Sequence, residues 1–311
     1  MTDNTIIQKL RDRINEYFVG KEDVVENVLI CLLAGGHILI EDVPGVGKTT
    51  LVKILSAAVN MSFSRIQFTP DTLPGDVVGV SVYNMKTGEF EYKEGAIMHQ
   101  IILADEINRT SPKTQAALLE SMAEKSVTVD GVRYDLPDPF MVIATQNPVE
   151  FIGTYPLPEA SVDRFLMRLC VGYPEKAEEL RLARNFIEGK YDDPVSYVCT
   201  AADICNLKNA VNKVSITDNV IDYAREIIDL TRKENRFIIG ASPRALLALI
   251  KASQAKAFLS SRDFVKPDDI KAVAVNVLHH RLTLTPEAKI AGENIDSIIA
   301  GLMFQVKVPT E

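Results

Sequence analysis

Short cysteine spacings are missing from this 311-residue chain. Its four cysteines (Cys31, Cys170, Cys199 and Cys205) form no C-x-x-C pair and have no closely spaced histidines beside them, so no zinc site is expected. They read as reduced thiols, which fits a cytosolic protein. An excess of basic residues is missing too. Lys and Arg number 34 against 42 Asp and Glu, and a net charge of −8 argues against a general polyanion binder. No apolar run approaches membrane-spanning length. The opening, MTDNTIIQKLRDRINEYF, is charged throughout and reads as an amphipathic helix rather than a signal peptide. There is no internal repeat and no low-complexity segment. What is present is an apolar fraction of 47%, ample for real cores, in a chain whose length suits two domains.

The first 172 residues alternate buried-strand candidates with helical stretches. Apolar runs occur at 37–40, 63–68, 101–104, 141–145 and 165–171. Five such runs with helical crossovers predict a parallel sheet covered on both faces, an α/β fold of αβα layering. After Gly172-Tyr173-Pro174 the strand-like runs stop, and helical periods take over at 177–188, 201–211, 218–233, 243–259 and 267–281. The expected domains are therefore an α/β core over 1–172 and an all-helical domain over 173–311. Two hairpin signals interrupt the core. Asp130-Gly131 sits between Val127-Thr128-Val129 and Val132-Arg133-Tyr134, and Asp-Gly favours the turn with positive φ at both central positions. VSVYNMKTGEFEY alternates on both sides of Lys86-Thr87-Gly88.

The segment DVPGVGKTTL, from Asp42 to Leu51, follows the apolar run Ile38-Leu39-Ile40 and opens a helical stretch. It has the form of a phosphate-binding loop, Pro44-Gly45-Val46-Gly47-Lys48-Thr49-Thr50. Gly45 and Gly47 let the backbone curl so that successive N–H groups point inward, and the following helix turns its positive end to the same anion. Lys48 can reach the β- and γ-phosphates, and the Thr49 hydroxyl can ligate Mg²⁺. The pattern ordinarily begins with Gly, and Asp42 stands there instead. An acidic group beside a triphosphate is tolerable only if it points away.

Ile101-Ile102-Leu103-Ala104-Asp105-Glu106 is an apolar strand ending in two carboxylates. In a parallel sheet the carboxyl ends of strands line one edge, the edge of the phosphate loop. Asp105 can hold Mg²⁺, and Glu106 can take a proton from the water that attacks the γ-phosphate. Loop and pair together predict a P-loop ATPase core. A GTPase competes, because Asp76-Val77-Val78-Gly79 fits D-x-x-G, but no N-K-x-D sequence follows. Asn147, before Pro148, can place an amide beside the γ-phosphate and attacking water; alone it would be a turn residue. Ser242-Pro243 announces a helix start and puts Arg244 in the first turn, where the helix dipole disfavours a cation and an anionic partner is suggested. Arg164 precedes the fifth strand run. It can pair with Asp163, or project as an arginine finger into a neighbouring subunit's site. Arg168 is a second candidate, inside the strand.

These segments, with VGKEDVVENVL, RIQFTPDTLPGDVVGV, LADEINRTSPKTQAALLESMAEKSVTVDG, IATQNPVEFIGTYPLPEASVDRFL and GASPRALLAL, resemble MoxR-type AAA+ ATPases of the helix-2-insert clade across nearly the whole chain. That family commonly tolerates Asp where Asp42 stands. By resemblance Lys48 and Thr49 correspond to Walker A, and Asp105 and Glu106 to Walker B. Asn147 corresponds to sensor 1, Arg164 to the finger and Arg244 to sensor 2. Val19 and Gly20 correspond to the stretch against adenine. The hairpins at 80–92 and 127–134 correspond to the helix-2 insert and the pre-sensor-1 hairpin. The resemblance implies ATP and Mg²⁺ as cofactors, an AAA+ lid, and assembly as a homo-oligomeric ring, usually hexameric. It also implies chaperone-like work on proteins with von Willebrand factor A-like domains. A nucleic-acid motor is the related alternative, but the hairpin cations Lys86, Lys93 and Arg133 stand among Glu89, Glu91, Glu94, Asp130 and Asp135. A nucleotide-gated scaffold with little turnover is a third reading, against which Glu106 speaks.

Overall fold

The computed structural model describes residues 3–147, 153–191 and 194–309, so Pro148 lies outside the described residues. The chain opens with α1 (Asp3–Tyr17) and α2 (Glu22–Leu33). Ile7, Leu10 and Ile14, spaced by three and four, are the buried stripe of α1, as its amphipathic period requires. Then come β1 (Ile38–Glu41), α3 (Lys48–Ala58), β2 (Phe63–Gln67) and the short α4 (Pro74–Val78). The hairpin β3 (Gly79–Asn84) and β4 (Glu89–Glu94) precedes β5 (Ile101–Asp105) and α5 (Pro112–Glu124). A second hairpin, β6 (Ser126–Val129) and β7 (Val132–Asp135), leads to β8 (Met141–Gln146), α6 (Glu159–Val162) and β9 (Met167–Leu169).

Five of these strands form one sheet in the order β2-β5-β8-β1-β9, every pairing parallel. Alternate residues enter two separate cores: Ile38, Ile40, Leu103 and Ile143 on one face, Leu39, Ala104, Val142 and Ala144 on the other. This is the two-sided burial expected of near-continuous apolar strands. In the second hairpin Asp130 (φ 48°) and Gly131 (φ 81°) take the two positive-φ positions that Asp-Gly selects. The stacked rings of Tyr92 and Tyr134, 4.0 Å between centroids, join one hairpin to the other. Asp76 of the D-x-x-G match serves a structural end: its carboxylate accepts the Leu73 N–H (2.8 Å) at the start of α4.

Helices α7 (Lys176–Ile187), α8 (Ala201–Val211), α9 (Asp218–Lys233), α10 (Pro243–Leu259) and α11 (Pro267–Leu278) fall where the helical periods lie. A single turn of tight helix at 279–281 ends the last of them. The helical half also holds a two-stranded antiparallel ribbon, β10 (Phe237–Ile239) with β11 (Thr283–Leu284), followed by α12 (Pro286–Ile290) and α13 (Ile295–Gln305). The expectation of helices alone is corrected on that point. Strands of three and two residues are too short to show a period in sequence.

Candidate active site

The loop between β1 and α3 has Gly45 at φ 88° and Gly47 at φ 87°, left-handed positions that a side chain resists. The Lys48 ammonium donates to the carbonyls of Asp42 (2.9 Å) and Val43 (3.3 Å), at the root of the same loop. Asp42 does point away from the loop's concave side. One carboxylate oxygen accepts the N–H of Val43 (2.8 Å); the other accepts the N–H groups of Val171 (2.7 Å) and Gly172 (2.6 Å) and the Cys170 thiol (3.4 Å). Burial alone would raise its pKa. The N–H groups of Gly172 and Val43, the Cys170 thiol and the Val171 N–H outweigh burial and hold it below the ordinary carboxylate value.

The carboxyl ends of β5, β8 and β2 converge beside this loop. Thr145 Oγ1 donates to Asp105 (2.6 Å) and accepts the backbone N–H of Glu106 (2.9 Å). Glu106 has φ 57°, a left-handed conformation uncommon for a non-glycine residue, so a strained turn aims the second carboxylate. Its oxygen accepts from Gln67 (2.7 Å) and Arg109 (2.8 Å), while Arg65 donates to Asp105 (2.7 Å). A cavity of about 420 Å³ joins these groups, lined by Pro44, Gly45, Gly47, Lys48, Thr49 and Thr50 on one side and by Asp105, Glu106 and Asn147 among the rest.

A second cavity, of about 460 Å³, continues from the loop. Gly45, Val46, Gly47 and Thr50 form its floor, and Val19 stands with Phe18 and Lys21 on one wall. Gly172, Pro174, Leu182 and Tyr191 form another. Gly20 does not line it; the Glu178 carboxyl lies against Gly20, at a place where a Cβ would meet it at 2.0 Å. The apolar walls suit a nucleoside base and the N–H-rich loop suits phosphates. Thr49 and Asp105, both oxygen donors in the phosphate cavity, are the chemistry Mg²⁺ prefers. No cluster of three or more metal-ligating side chains occurs among the described residues. ATP and Mg²⁺ therefore fit the residues present.

Arg164 and Arg244 are elsewhere. They share a cavity of about 730 Å³ with Lys125, Lys251 and the Gly35-Gly36-His37 segment that precedes β1. That is the amino edge of the sheet, and none of the described residues lines both this cavity and the phosphate cavity. Ser242 caps α10 as the sequence indicated, accepting the Ala245 N–H (3.3 Å). The anionic partner of Arg244 within the chain is Asp163, at 3.5 Å. Arg164 does not pair with Asp163; it donates to the Leu119 carbonyl. Arg168 is engaged within the sheet by Glu41. Arg65, Gln67, Arg109 and Thr145 escaped the sequence reading. The alternation of Arg65 and Gln67 about Ile66 was the available signal, because it places both on the face of β2 beside Asp105.

A parallel sheet with a phosphate loop after β1 and a carboxylate pair at the end of β5, two strands away across β8, followed by a helical domain, defines an ATPase of the AAA+ class. A model of the ATPase family associated with various cellular activities matches residues 37–167, and one of the AAA lid domain matches 229–302. Chaperone MoxR1 of Mycobacterium tuberculosis is 38% identical over 94% of this chain and 79% of its own length. The chain belongs to the MoxR family of AAA+ ATPases, and ATP hydrolysis is its reaction. It is also similar to Bacillus subtilis YeaC, of uncharacterized activity, at 50% identity over 98% of this chain and 96% of YeaC. A crystal structure of a candidate ATPase from Cytophaga hutchinsonii superposes with a TM-score of 0.92 at 39% identity, covering 99% of this chain and 96% of that one.

Proposed function

We propose that this ATPase works as a homo-oligomeric ring, hexameric as the family resemblance implies, that uses Mg²⁺-dependent ATP hydrolysis to remodel partner protein complexes in the cytosol. The observation that carries this reading is the separation of two sets of side chains. Lys48 and Glu106 lie at the carboxyl edge of the sheet, whereas Arg164 and Arg244 share a cavity at the amino edge. Guanidinium groups at one edge have no phosphate to meet in their own chain, and the amino edge of one subunit laid on the carboxyl edge of the next would supply one. Arg164 and Arg244 are then both trans residues, and Arg168, held by Glu41, is not the finger.

Within each site Lys48 would bind the β- and γ-phosphates, and Thr49 and Asp105 would hold Mg²⁺. Bound there, the ion neutralises charge on the phosphate oxygens during transfer. Glu106 accepts the proton of the attacking water, and Asn147 orients that water. The base would lie against Val19 and Val46 in the apolar cavity, between the units 1–172 and 173–311, so that nucleotide turnover can change the angle between them. Chaperone work is supported by the name of the Mycobacterium relative. Proteins with von Willebrand factor A-like domains are the partner class the resemblance implies. A nucleic-acid track is disfavoured by the mixed charge of the two hairpins, where Arg133 pairs with Asp135 (3.1 Å). No helix among the described residues is long and apolar enough to cross a membrane. Light scattering of the Glu106→Gln protein with Mg-ATP tests the assembly: a ring is expected, and a monomer at saturating nucleotide overturns it.

A further inference from the structure

Asp42 occupies the loop position where the phosphate-binding pattern ordinarily carries glycine, and its side chain is only 6% exposed. A buried carboxylate is costly unless its lone pairs are used, and here they are. Its two oxygens meet three backbone N–H groups and one thiol. Two of those N–H groups, of Val171 and Gly172, are 129 and 130 residues away in sequence. They sit where the chain leaves β9. From there it runs directly into Gly172 and Pro174, which form one wall of the apolar cavity. The Lys21 ammonium, beside Phe18 and Val19 in the lining of the same cavity, holds the next carbonyl, of Tyr173, at 2.8 Å. The main chain of Asp42 has partners of its own. Its carbonyl accepts from Lys48 (2.9 Å), and its N–H donates to the Gln146 carbonyl (3.2 Å) at the end of β8.

We infer that Asp42 is a positioning residue for nucleotide recognition: its carboxylate sets the distance between the phosphate cradle and the wall of the base cavity. The two halves of the ligand site belong to segments far apart in sequence, and Asp42 is bonded to both. A ligand with base and phosphates needs that spacing to be right. A ligand made of phosphates alone needs only the loop. The inference rests on the assignment of one cavity to phosphates and the other to the base.

The experiment compares ATP with inorganic tripolyphosphate, each displacing a fluorescent ATP analogue from the full chain. Asp42→Gly removes the side-chain contacts while giving the loop its ordinary residue. ATP affinity should fall about tenfold or more, the scale of one charge-assisted hydrogen bond, while tripolyphosphate affinity stays within about twofold. A parallel loss for both ligands would show that Asp42 only shapes the loop and would overturn the inference. So would unchanged ATP affinity, or tighter binding of both ligands, which would mark the carboxylate as a repelling charge. Should Asp42→Gly fail to fold, Asp42→Asn is read in the same way, because an amide can satisfy the donors at one oxygen position but not at both. Tripolyphosphate that fails to compete in the wild type would instead reject the cavity assignment.

Discussion

Arg281 donates from Nε to Asp163 at 2.7 Å, so that a cation of the helical half is neutralised by the segment entering the last strand of the sheet. The rest of its guanidinium reaches the carbonyls of Phe165 (2.6 Å), Leu166 (3.2 Å), Asp163 (3.3 Å) and Val277. The side chain is 3% exposed. Burial lowers its pKa, and the hydrogen bond and charge of Asp163 oppose that shift. Asp163 in turn meets Arg244 and the Ser242 hydroxyl (3.4 Å), so one carboxylate serves both the clamp and the first turn of α10.

Arg281→Ala should therefore destabilise the protein by about 3–5 kcal/mol, because it takes the nearest cation from a partly buried carboxylate and removes a donor from several carbonyls. Arg281→Lys should recover only part of this, since an ammonium cannot fork among the same acceptors. Urea unfolding measures both. A loss under about 0.5 kcal/mol for the Ala variant would remove the clamp from the account.

The same residues show where sequence was legible. The strands of the sheet were readable because each falls on an apolar run of four or more residues, and helices α8 to α11 because burial of one face imposes a period. The phosphate loop and the acidic pair were readable because their chemistry needs adjacent residues. Asp163 and Arg164 show the opposite case. As neighbours they invite pairing, yet Asp163 binds Arg281, 118 residues on. The orientation of Asp42 depends on donors beyond β9, and Arg65 finds Asp105 at a separation of 40 residues across two strands. Such pairs follow from strand order and register, which no local pattern carries.

Lys48→Ala should abolish measurable ATP binding, because it removes the one cation placed within the glycine loop. Calorimetry checks it, and wild-type affinity would reject the phosphate-loop assignment.

Glu106→Gln should keep ATP binding and lose turnover, since an amide cannot accept the water's proton. The carboxamide can still take the hydrogen bonds from Gln67 and Arg109, so the turn at φ 57° should persist. Hydrolysis at the wild-type rate would show that Glu106 is not the base.

His37 supplies a pH dependence. Its Nδ1 accepts the Val142 N–H (3.0 Å), which only the neutral ring can do. Burial drives its pKa down to about 4, against 6.5 when unfolded. Between those values the unfolded chain binds the extra proton, so stability must fall as pH drops from about 6.5 to about 4. The window corresponds to about 3 kcal/mol. His37→Asn keeps an acceptor and removes the titration. Its unfolding free energy should lose this much less than the wild type across the window, and parallel pH profiles would refute the assignment.

Assembly gives the most demanding test. If Arg164 completes an adjacent subunit's site, Arg164→Ala and Glu106→Gln should each be nearly inactive alone. Mixed, they can form composite sites in which Glu106 from the first variant faces Arg164 from the second. With random equal mixing the nucleotide-holding subunit carries Glu106 half the time, and its neighbour carries Arg164 half the time. About a quarter of interfaces are then complete. Activity should reappear on mixing, lowered if the subunits must act in concert. Energy transfer between labelled chains establishes that subunits have exchanged. Arg244→Ala can replace Arg164→Ala in the same design, because both arginines line the cavity at the amino edge. If exchange is complete and activity stays at the level of the separate variants, the trans assignment falls. Arg164 must then act within its own chain, and the amino-edge cavity needs another explanation.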